Sequence, residues 1–415
     1  MSMRCGLLGE KLGHSFSREI HGKLGLYDYD LFEVPPEGLD AFMTARDFDG
    51  INVTVPYKQA VIPYLDGMSP RAEASGAVNT VVNENGRLWG DNTDIPGLGA
   101  LIRRMGLDIS GKTVLIGGSG GTSLTASAVA ESMGAKRSVR MSRSGRGGAM
   151  TYEEAYCTYG DAEILINATP AGMYPDTEGC PVDLSRLSNL EGVIDCVYNP
   201  LTTRLVLEAR ERGIKAENGL FMLTVQAVLA AEDFTGERMD EGTAERIYRE
   251  LCFEKRSIVL TGMPGSGKTT IGTILSRRLG RSFIDTDEEI IRRAGMPVAE
   301  IFGRYGEEHF RDLETEVIRE ISGRQGAVTA TGGGAVLRRE NQDALKKNGI
   351  VVFLDRMPDA ILPTEDRPLA DDPSKVRRLY EERLPVYRAA SDVIADVAGT
   401  PERTADAILE KLREL

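Results

Sequence analysis

A phosphate-binding loop constrains the fold of this chain more than any other sequence feature. The β-branched run Ser257–Thr261 leads into Gly-Met-Pro-Gly-Ser-Gly-Lys-Thr (262–269), and an amphipathic stretch follows as far as Leu279. This strand–loop–helix order fits the pattern Gly-x-x-x-x-Gly-Lys-[Ser/Thr]. The glycines let backbone N–H groups surround phosphate groups, Lys268 supplies a cation, and the Thr269 hydroxyl can bind Mg²⁺. The sequence therefore predicts a parallel α/β domain that binds a nucleoside triphosphate.

Composition limits the class of protein. The 415 residues are 41% hydrophobic and 27% charged, which is typical of a globular chain with two or three domains. A formal charge of -13 disfavours a protein that binds the nucleic-acid backbone. Five scattered cysteines suggest neither a disulfide framework nor a Cys-x-x-Cys metal site, and no apolar run or signal peptide predicts a membrane segment. We expect a cytoplasmic protein without nucleic-acid or membrane partners, and its oligomeric state stays open.

Short β-branched runs alternate with longer amphipathic stretches, which indicates parallel sheets covered by helices. A polar helix is predicted over 239–253, just before the strand of the phosphate loop. The clearest predicted strands are Gly50–Val55, Lys112–Ile116, Ile164–Asn167, Gly192–Val197, Ser257–Thr261 and Ile350–Leu354.

Several residues after the phosphate loop narrow the choice of phosphate acceptor. A pair of aspartates ends the next strand, an arginine and a glutamate lie three residues apart on a helix, three glycines end a strand-like run, and two arginines follow. Each has an ordinary explanation alone, such as a solvated helix face or a turn. In chain order they are Asp285, Asp287, Arg311, Glu314, Gly332, Gly333, Gly334, Arg367 and Arg383.

Together, and in this order, these residues resemble shikimate kinase from Ser257 to the C-terminus. The resemblance implies that ATP is bound by Gly262, Met263, Pro264, Gly265, Ser266, Gly267, Lys268, Thr269 and Thr270. It implies that Thr269 and Asp285 serve Mg²⁺, that Asp287 binds the acceptor as the base, and that Arg367 closes onto the transferring phosphate from a lid. The remaining substrate contacts would be Arg311, Gly332, Gly333, Gly334 and Arg383. The family's lid usually starts with a further arginine near the adenine, whereas residues 357–366 contain no basic residue.

A second nucleotide signal lies in the N-terminal half. The stretch Thr-Val-Leu-Ile-Gly-Gly-Ser-Gly-Gly-Thr-Ser (113–123) joins a strand to a helix-like segment that reaches Met133. The next strand ends near Arg143 and Arg146, where a site for NAD typically has an acidic residue. Arginines at this point suit the 2′-phosphate of NADP. The alternative is a structural turn followed by a solvated basic loop.

Four polar clusters lie among apolar segments of the same half. They are His14–Ser17, Asn52–Lys58, Gly76–Thr80 and Gly90–Asp94. Hydroxyl, amide, lysine and aspartate side chains at strand ends suit a small polyol. A solvated loop explains any one cluster, but it explains all four poorly.

These clusters, with the later segments 167–173, 195–200 and 219–226, resemble shikimate dehydrogenase over residues 1–250. The resemblance implies NADPH-dependent reduction of 3-dehydroshikimate, with Lys58 and Asp94 as the catalytic pair. It implies substrate contacts from Ser15, Ser17, Thr54, Asn79, Tyr198 and Gln226. It implies NADP contacts from Gly118, Ser119, Gly120, Gly121, Thr122, Ser142, Arg143, Arg146, Thr169, Val197 and Gly219. The chain departs from the family at Arg18 and Gly22, where Pro and Asn are common, and at Thr122, Ser123 and Leu124, where small alanines and then a basic residue are usual.

The predicted organisation is α/β throughout. Residues 1–98 with 218–250 form a substrate domain, 99–217 a Rossmann-like NADP domain, 251–256 a short linker, and 257–415 a P-loop kinase domain with a parallel sheet. We therefore expect a bifunctional enzyme of the shikimate pathway, which leads to chorismate and the aromatic amino acids, with NADP(H), ATP and Mg²⁺ as cofactors and small molecules as substrates.

Three alternatives remain open. The first is a quinate/shikimate dehydrogenase that uses NAD, joined to a small-molecule kinase of other specificity. The second is a sensor with one inactive half, against which the presence of Lys58, Asp94, Lys268 and Asp287 argues. The third is a structural nucleotide-binding scaffold.

Overall fold

Three sheets organise the residues that the computed structural model describes, which are 3–13, 15–361 and 373–414. Two of these sheets lie in an N-terminal unit, Met1–Glu250, and the third lies in a C-terminal unit, Leu251–Leu415. Helices alternate with strands along the chain. The predicted α/β fold class is therefore confirmed.

The first sheet carries six strands in the order β2-β1-β3-β5-β6-β4. The β1–β2, β1–β3 and β4–β6 pairs are parallel, whereas β5 runs antiparallel to both β3 and β6. The strands are β1 (Arg4–Gly9), β2 (Asp28–Glu33), β3 (Gly50–Val53), β4 (Gly67–Met68), β5 (Thr80–Glu84) and β6 (Arg87–Asp91). The helices of this region are α1 (Ser17–Leu24), α2 (Leu39–Ala45), α3 (Pro70–Ser75) and α4 (Asp94–Arg104).

A two-residue hairpin joins β5 to β6 and explains the antiparallel strand. Glu84 pairs with Arg87, and the loop between them is Asn85-Gly86, with φ angles of 54° and 85°. Asn-Gly is the sequence that best tolerates positive φ at both loop positions. The sequence analysis expected parallel sheets and overlooked this dipeptide, which is the signal that could have placed the hairpin.

The second sheet carries six parallel strands in the order β12-β11-β10-β7-β8-β9. The strands are β7 (Thr113–Gly117), β8 (Arg137–Ser142), β9 (Met150–Thr151), β10 (Ile164–Asn167), β11 (Gly192–Asp195) and β12 (Lys215–Glu217). The helices are α5 (Gly121–Ser132), α6 (Tyr152–Tyr159) and α7 (Arg204–Glu211).

Two further helices, α8 (Leu220–Thr235) and α9 (Thr243–Lys255), follow the second sheet. Helix α8 packs against α4 and α1, and its Phe234 lies over the start of β3. A Cβ atom on Gly50 would lie 2.8 Å from Cε1 of Phe234, so only glycine lets the ring pack this closely. Residues 220–235 therefore return to the first sheet.

The third sheet carries five parallel strands in the order β14-β15-β13-β16-β17. The strands are β13 (Ser257–Thr261), β14 (Phe283–Asp285), β15 (Val328–Ala330), β16 (Gly349–Asp355) and β17 (Val393–Asp396). The helices are α10 (Lys268–Leu279), α11 (Thr286–Ala294), α12 (Val298–Ser322), α13 (Arg339–Asn348), α14 (Pro373–Ala390) and α15 (Pro401–Glu414). Helix α12 is broken by a kink at Gly306, where φ is 84°.

The central parallel strands β10, β11, β13 and β15 are buried on both faces, because helices cover both sides of their sheets. In the third sheet, Val351 and Phe353 pack with α13 and α14, whereas Val352 and Leu354 pack with α10 and α15. In the second sheet, the neighbouring residues Leu165 and Ile166 likewise point to opposite faces and belong to different hydrophobic clusters.

The predicted strands are confirmed, with boundaries that shift by up to two residues. The predicted polar helix corresponds to α9. Most of the segment predicted as a linker, 251–256, is helical, because α9 continues to Lys255 and β13 begins at Ser257. Among the helices of the described residues, none is both long and apolar enough to cross a membrane.

Candidate active sites

A salt bridge marks the site of the N-terminal unit. Nζ of Lys58 lies 2.5 Å from Oδ2 of Asp94, and the two side chains are only 12% and 9% exposed. Asp94 is the first residue of α4, where the helix dipole favours a carboxylate. Lys58 follows β3, so the chain folds back to bring together two residues that are 36 positions apart.

A cavity of about 470 Å³ surrounds this pair. It lies where β1, β3 and β6 end in the first sheet and where β10 and β11 end in the second. All eight residues predicted for catalysis or substrate binding in this half line it: Ser15, Ser17, Thr54, Lys58, Asn79, Asp94, Tyr198 and Gln226. Four residues predicted for NADP also line it: Thr122, Thr169, Val197 and Gly219.

Asn79 anchors the wall of the cavity. Its Nδ2 donates to Oγ1 of Thr93 at 3.0 Å and to Oε1 of Gln226 at 3.2 Å, and its Oδ1 accepts from the Thr93 N–H at 2.7 Å. Because Thr93 precedes α4, these bonds set where the helix starts and therefore where Asp94 lies. The sequence analysis did not assign Thr93 this role.

A second buried amide, Asn52, supports the first. Its Oδ1 accepts from the Tyr29 hydroxyl at 2.8 Å, and its Nδ2 donates to the carbonyl oxygen of Asn79 and to Oγ1 of Thr80, both at 3.3 Å. Buried polar groups are stabilising only when they are paired in this way. The sequence analysis placed Asn52 and Thr80 in polar clusters but did not select them as site residues.

Ser15, Ser17 and Tyr198 form another side of the cavity. Oγ of Ser15 donates to Oγ of Ser17 at 3.1 Å, and the ring of Phe16 lies 5.2 Å from that of Tyr198, centroid to centroid. Burial raises the pKa of Tyr198 above its usual value, so its hydroxyl stays protonated near neutral pH. These groups offer hydroxyl donors and acceptors, as recognition of a polyol requires.

The glycine loop after β7 passes close to Lys58. Gly118 has a φ of 124°, and a Cβ atom there would lie 3.1 Å from the carbonyl oxygen of Ala168. A Cβ on Gly121, in the first turn of α5, would lie 3.0 Å from Cβ of Lys58. The loop therefore presents the N-terminus of α5, which suits a diphosphate, at the edge of the catalytic cavity.

The predicted arginines stand beyond the carboxyl end of β8. Arg143 and Arg146 are both exposed, and Oγ of Ser142 accepts from the Gly145 N–H at 3.2 Å within the same turn. Both cations are therefore accessible at the strand next to the glycine loop. This arrangement fits the phosphate-bearing ribose of NADP better than the unmodified ribose of NAD.

Asp195 is a buried carboxylate behind the cavity that the sequence analysis did not assign. Its Oδ1 accepts from Nδ2 of Asn167 at 2.9 Å and from the Val197 N–H at 3.0 Å, and its Oδ2 accepts from Oγ1 of Thr203 at 2.6 Å. Oδ1 of Asn167 accepts in turn from Oγ1 of Thr169 at 2.7 Å. Asp195 thus holds two cavity residues, Val197 and Thr169. The sequence signal that could have identified this role is that β10 and β11 both end in a polar residue.

The phosphate loop of the C-terminal unit has the predicted strand–loop–helix setting. Gly262, Gly265 and Gly267 have φ angles of 143°, 82° and 100°, which other residues rarely adopt. Nζ of Lys268 donates to the carbonyl oxygens of Gly262 and Met263 at 3.0 and 2.9 Å. The lysine therefore lies over the loop, where phosphate oxygens would bind.

Two oxygen ligands suitable for Mg²⁺ adjoin the loop. Oγ1 of Thr269 donates to Oδ2 of Asp285 at 2.9 Å. Across the described part of the chain, no three His, Cys, Asp or Glu side chains come together as a metal cage. A hydroxyl with one carboxylate fits Mg²⁺, which usually takes its other ligands from water and substrate phosphates.

Asp287 and Glu314 point into a polar pocket beside Gly332. A Cβ atom on Gly332 would lie 2.6 Å from Oε1 of Glu314 and 2.8 Å from Oδ1 of Asp287. Both oxygens are buried and have no hydrogen-bond partner among the described residues. Burial raises the pKa of both carboxyl groups, and Arg311 opposes the rise. Two unpaired acceptors at one place indicate a ligand with hydroxyl groups.

Arginines and glycines complete this pocket. Nη1 of Arg311 donates to Oε2 of Glu314 at 2.8 Å, and Nη1 of Arg383 donates to the carbonyl oxygen of Gly333 at 3.0 Å. A Cβ on Gly334 would lie 2.5 Å from Cζ of Arg311, and one on Gly333 would lie 2.8 Å from Cδ of Pro264. The glycines therefore make room for the guanidinium and for the phosphate loop.

Two further predicted residues belong to the phosphate loop and the helix after it. Ser266 is buried within the loop, and Thr270 is exposed in the first turn of α10. Tyr387, which the sequence analysis quoted but did not select, donates from its hydroxyl to the carbonyl oxygen of Gly333 at 2.5 Å. The predicted catalytic residue Arg367 lies outside the described residues.

A stability prediction follows from Asp195. Burial raises its pKa from 3.8 to about 6, so the ionised form is less favourable in the folded than in the unfolded chain. Stability from this group is full below pH 4 and is lost as pH rises through 6, a change of about 3 kcal/mol. An Asp195→Asn variant cannot ionise there. Its stability relative to the parent should therefore rise between pH 4 and pH 7.

The measurement is urea unfolding followed by the fluorescence of Trp89, the single tryptophan, which lies in the N-terminal unit. A difference between parent and variant that stays constant over this pH range would contradict the assignment.

Comparisons with known proteins identify a family for each half of the chain. The family model described as the shikimate dehydrogenase substrate binding domain matches residues 7–81, and the shikimate kinase model matches residues 264–413. The chain is 37% identical to the NADP(+) shikimate dehydrogenase of Clostridium perfringens over 265 residues, which is 59% of this chain and 97% of that protein. It is 39% identical to the same enzyme of a Geobacillus species, and the match covers 60% of this chain and 99% of that protein.

Solved structures of shikimate dehydrogenases also match this chain. Shikimate dehydrogenase 1 of Peptoclostridium difficile matches with a TM-score of 0.56 and 35% identity over 60% of this chain and 97% of that chain. Shikimate 5-dehydrogenase of Thermus thermophilus, solved with NADP(H) and shikimate, matches with a TM-score of 0.53 and 31% identity. This match covers 60% of this chain and 99% of that chain. The predicted resemblances are confirmed. The chain belongs to the shikimate dehydrogenase family through its N-terminal unit and carries a shikimate kinase domain in its C-terminal unit, so it is a fusion of two enzymes of the shikimate pathway.

Proposed function

We propose that the N-terminal unit reduces 3-dehydroshikimate to shikimate with NADPH, and that the C-terminal unit phosphorylates shikimate to shikimate 3-phosphate with Mg-ATP. The observation that carries the proposal is the cavity that holds the Lys58–Asp94 pair, the polyol-binding hydroxyls and residues of the coenzyme loop together. The product of the first reaction is the substrate of the second, which supports both assignments.

In the reduction, NADPH supplies a hydride to the ring carbonyl, and the carbonyl oxygen needs a proton. Lys58 is the donor in reach of the cavity, and general acid catalysis by such a group contributes about 10²- to 10⁴-fold. Asp94 accepts a hydrogen bond from Nζ of Lys58 at 2.5 Å and so orients it. The Asn79–Thr93 bonds keep Asp94 in place.

The substrate is bound by the remaining cavity residues. Ser15, Ser17 and Thr54 offer hydroxyls, and Tyr198 offers a protonated phenol. The amide of Asn79 already bonds to Gln226, so these two residues would act on substrate as one unit. Hydroxyls and amides of this kind suit the ring hydroxyls and the carboxylate of shikimate.

In the phosphorylation, ATP would supply the phosphoryl group, and Thr269 and Asp285 would hold Mg²⁺, which would neutralise the charge of the phosphates. Asp287 takes the proton of the acceptor hydroxyl, since its unpaired Oδ1 faces the pocket. The rise in the pKa of Asp287 makes it a stronger base than an exposed aspartate and predicts a loss of rate at acid pH. Arg311 and Arg383 would bind the carboxylate of shikimate. The role of Arg367 stays a prediction.

A pair of variants tests the two catalytic assignments against each other. Lys58→Ala should lower the kcat of the dehydrogenase by about 10²- to 10⁴-fold and leave kinase activity unchanged. Asp287→Asn should lower the kcat of the kinase and leave dehydrogenase activity unchanged. Each activity is thus the folding control for the other variant. NADPH oxidation and ADP release are measured separately with saturating dehydroshikimate and shikimate. Normal dehydrogenase turnover by Lys58→Ala would refute its role as proton donor.

The coenzyme assignment has its own test. Arg143→Ala should weaken use of NADPH about 10- to 100-fold in kcat/KM and leave use of NADH unchanged, because a charged hydrogen bond contributes roughly 1.5–3 kcal/mol. Arg186, which is 42% exposed and pairs with Glu153, is a suitable control for loss of surface charge through Arg186→Ala. A parent enzyme that prefers NADH would instead favour the alternative NAD-dependent dehydrogenase.

The glycine that faces Arg311 allows a geometric test of the kinase pocket. Gly334→Ala should displace the guanidinium and raise the KM for shikimate about tenfold or more, because the new Cβ overlaps Arg311. The KM for ATP should stay the same. Gly303→Ala is the matched control, since Gly303 is exposed in the part of α12 that precedes the break at Gly306 and its Cβ would meet no atom within 4 Å. Equal KM values for shikimate in both variants would contradict the proposed contact.

A further inference from the structure

Thr125 carries a buried hydroxyl on α5 that none of the assignments above uses. Its side chain is 0% exposed, and its neighbours Ala126, Val129 and Ala130 pack with α4 in an apolar cluster. A hydroxyl is costly to bury unless it is hydrogen-bonded, so an alanine would serve this packing at least as well. The hydroxyl of Thr125 must therefore serve something other than packing.

The partner of this hydroxyl is Asn92, which follows β6 and precedes Asp94 by two residues. Asn92 is also 0% exposed. Its Nδ2 lies 3.0 Å from each of three acceptors, which share its two hydrogens: Oγ1 of Thr125, Oγ of Ser75 and the carbonyl oxygen of Ala77. The bond to Thr125 joins the segment 92–94, at the end of a strand of the first sheet, to a helix of the second sheet.

The same face of α5 also contacts the other member of the Lys58–Asp94 pair. A Cβ atom on Gly121 would lie 3.0 Å from Cβ of Lys58. Gly121 and Thr125 are four residues apart and therefore share a face of the helix. This face thus reaches Lys58 through Gly121 and the segment 92–94 through Thr125.

Coenzyme and substrate would favour the same arrangement of these two elements. The N-terminus of α5 suits the diphosphate of the coenzyme, and Asp94 lines the substrate cavity. The Thr125–Asn92 bond is made when α5 lies against the segment 92–94. A ligand that holds one of the two elements in this arrangement therefore helps the other ligand to bind, and such coupling is reciprocal.

We propose that Thr125 is a positioning residue, which couples the binding of coenzyme to the placement of Asp94 through its hydrogen bond to Asn92. This inference rests on the proposed dehydrogenase function and deepens it. Because Thr125 acts through Asn92, loss of its hydroxyl should change how the two ligands affect each other more than how each one binds alone.

The test measures the Kd of NADPH in the full chain, with and without saturating shikimate. Both compounds are in the reduced form, so they form a complex that cannot react. The fluorescence of NADPH reports its binding, so shikimate bound by the kinase does not itself contribute to the signal. In the parent, shikimate should lower the Kd of NADPH about three- to tenfold, which corresponds to one buried hydrogen bond. Thr125→Val should bring this ratio close to one and lower the kcat of the dehydrogenase by a similar factor.

Control variants separate the hydrogen bond from packing. Thr125→Ser keeps the hydroxyl and should keep the parent's ratio. Thr224→Val is the matched control, because Thr224 is a buried threonine of α8 whose hydroxyl donates to the carbonyl oxygen of Leu220, within its own helix, at 2.9 Å. It should also keep the ratio. If Thr125→Val does not bind NADPH, Thr125→Ala removes the same hydroxyl without adding a methyl group.

Two results would overturn the inference. One is a parent protein in which shikimate leaves the Kd of NADPH unchanged. The other is a variant without the Thr125 hydroxyl that keeps the parent's ratio, even if NADPH binds more weakly throughout, because that pattern describes a purely structural role. Failure of the proposed function looks different, because the parent would then not oxidise NADPH when dehydroshikimate is added.

Discussion

Parallel pairing of strands is the constraint on which both sites depend. It brings the carboxyl ends of neighbouring strands to one edge, and the residues that follow those ends converge there although they are far apart in sequence. Lys58 after β3 and Asp94 after β6 reach one cavity because both strands run in the same direction, and Thr169 after β10 of the second sheet lines the same cavity. In the third sheet the same rule gathers the phosphate loop, Asp287 and Gly332. The antiparallel strand β5 is the exception, because it reaches the same edge with its first residues, next to Asn79.

The two sites differ in how their buried charged groups are paired. In the dehydrogenase cavity, the lysine and aspartate neutralise each other directly, and the buried Asp195 behind them is held by three neutral donors. In the kinase pocket, Asp287 and Glu314 each keep an oxygen without a partner among the described residues, while Arg311 neutralises only part of the charge. The first site is organised before substrate arrives. The second leaves acceptors open, as binding of a hydroxyl-rich ring requires.

Local pattern was enough to predict the strands, the phosphate loop and the polar clusters, because each depends on residues close in sequence. The supporting groups were harder to predict. Asn79 bonds to Gln226 across 147 positions, and Asp195 acts through Asn167 and Thr203, so their roles depend on which strands become neighbours. The Asn85-Gly86 hairpin was readable from the sequence and was overlooked.

A single assay of the parent protein tests the central claim, that one chain carries out consecutive reactions of one pathway. Purified protein is given dehydroshikimate, NADPH and Mg-ATP, and NADPH absorbance and ADP release are recorded together. We expect one ADP for each NADPH oxidised, with a lag in ADP release while shikimate accumulates, and no ADP release when NADPH is omitted. Oxidation of NADPH without ADP release, or ADP release that does not depend on NADPH, would contradict the claim.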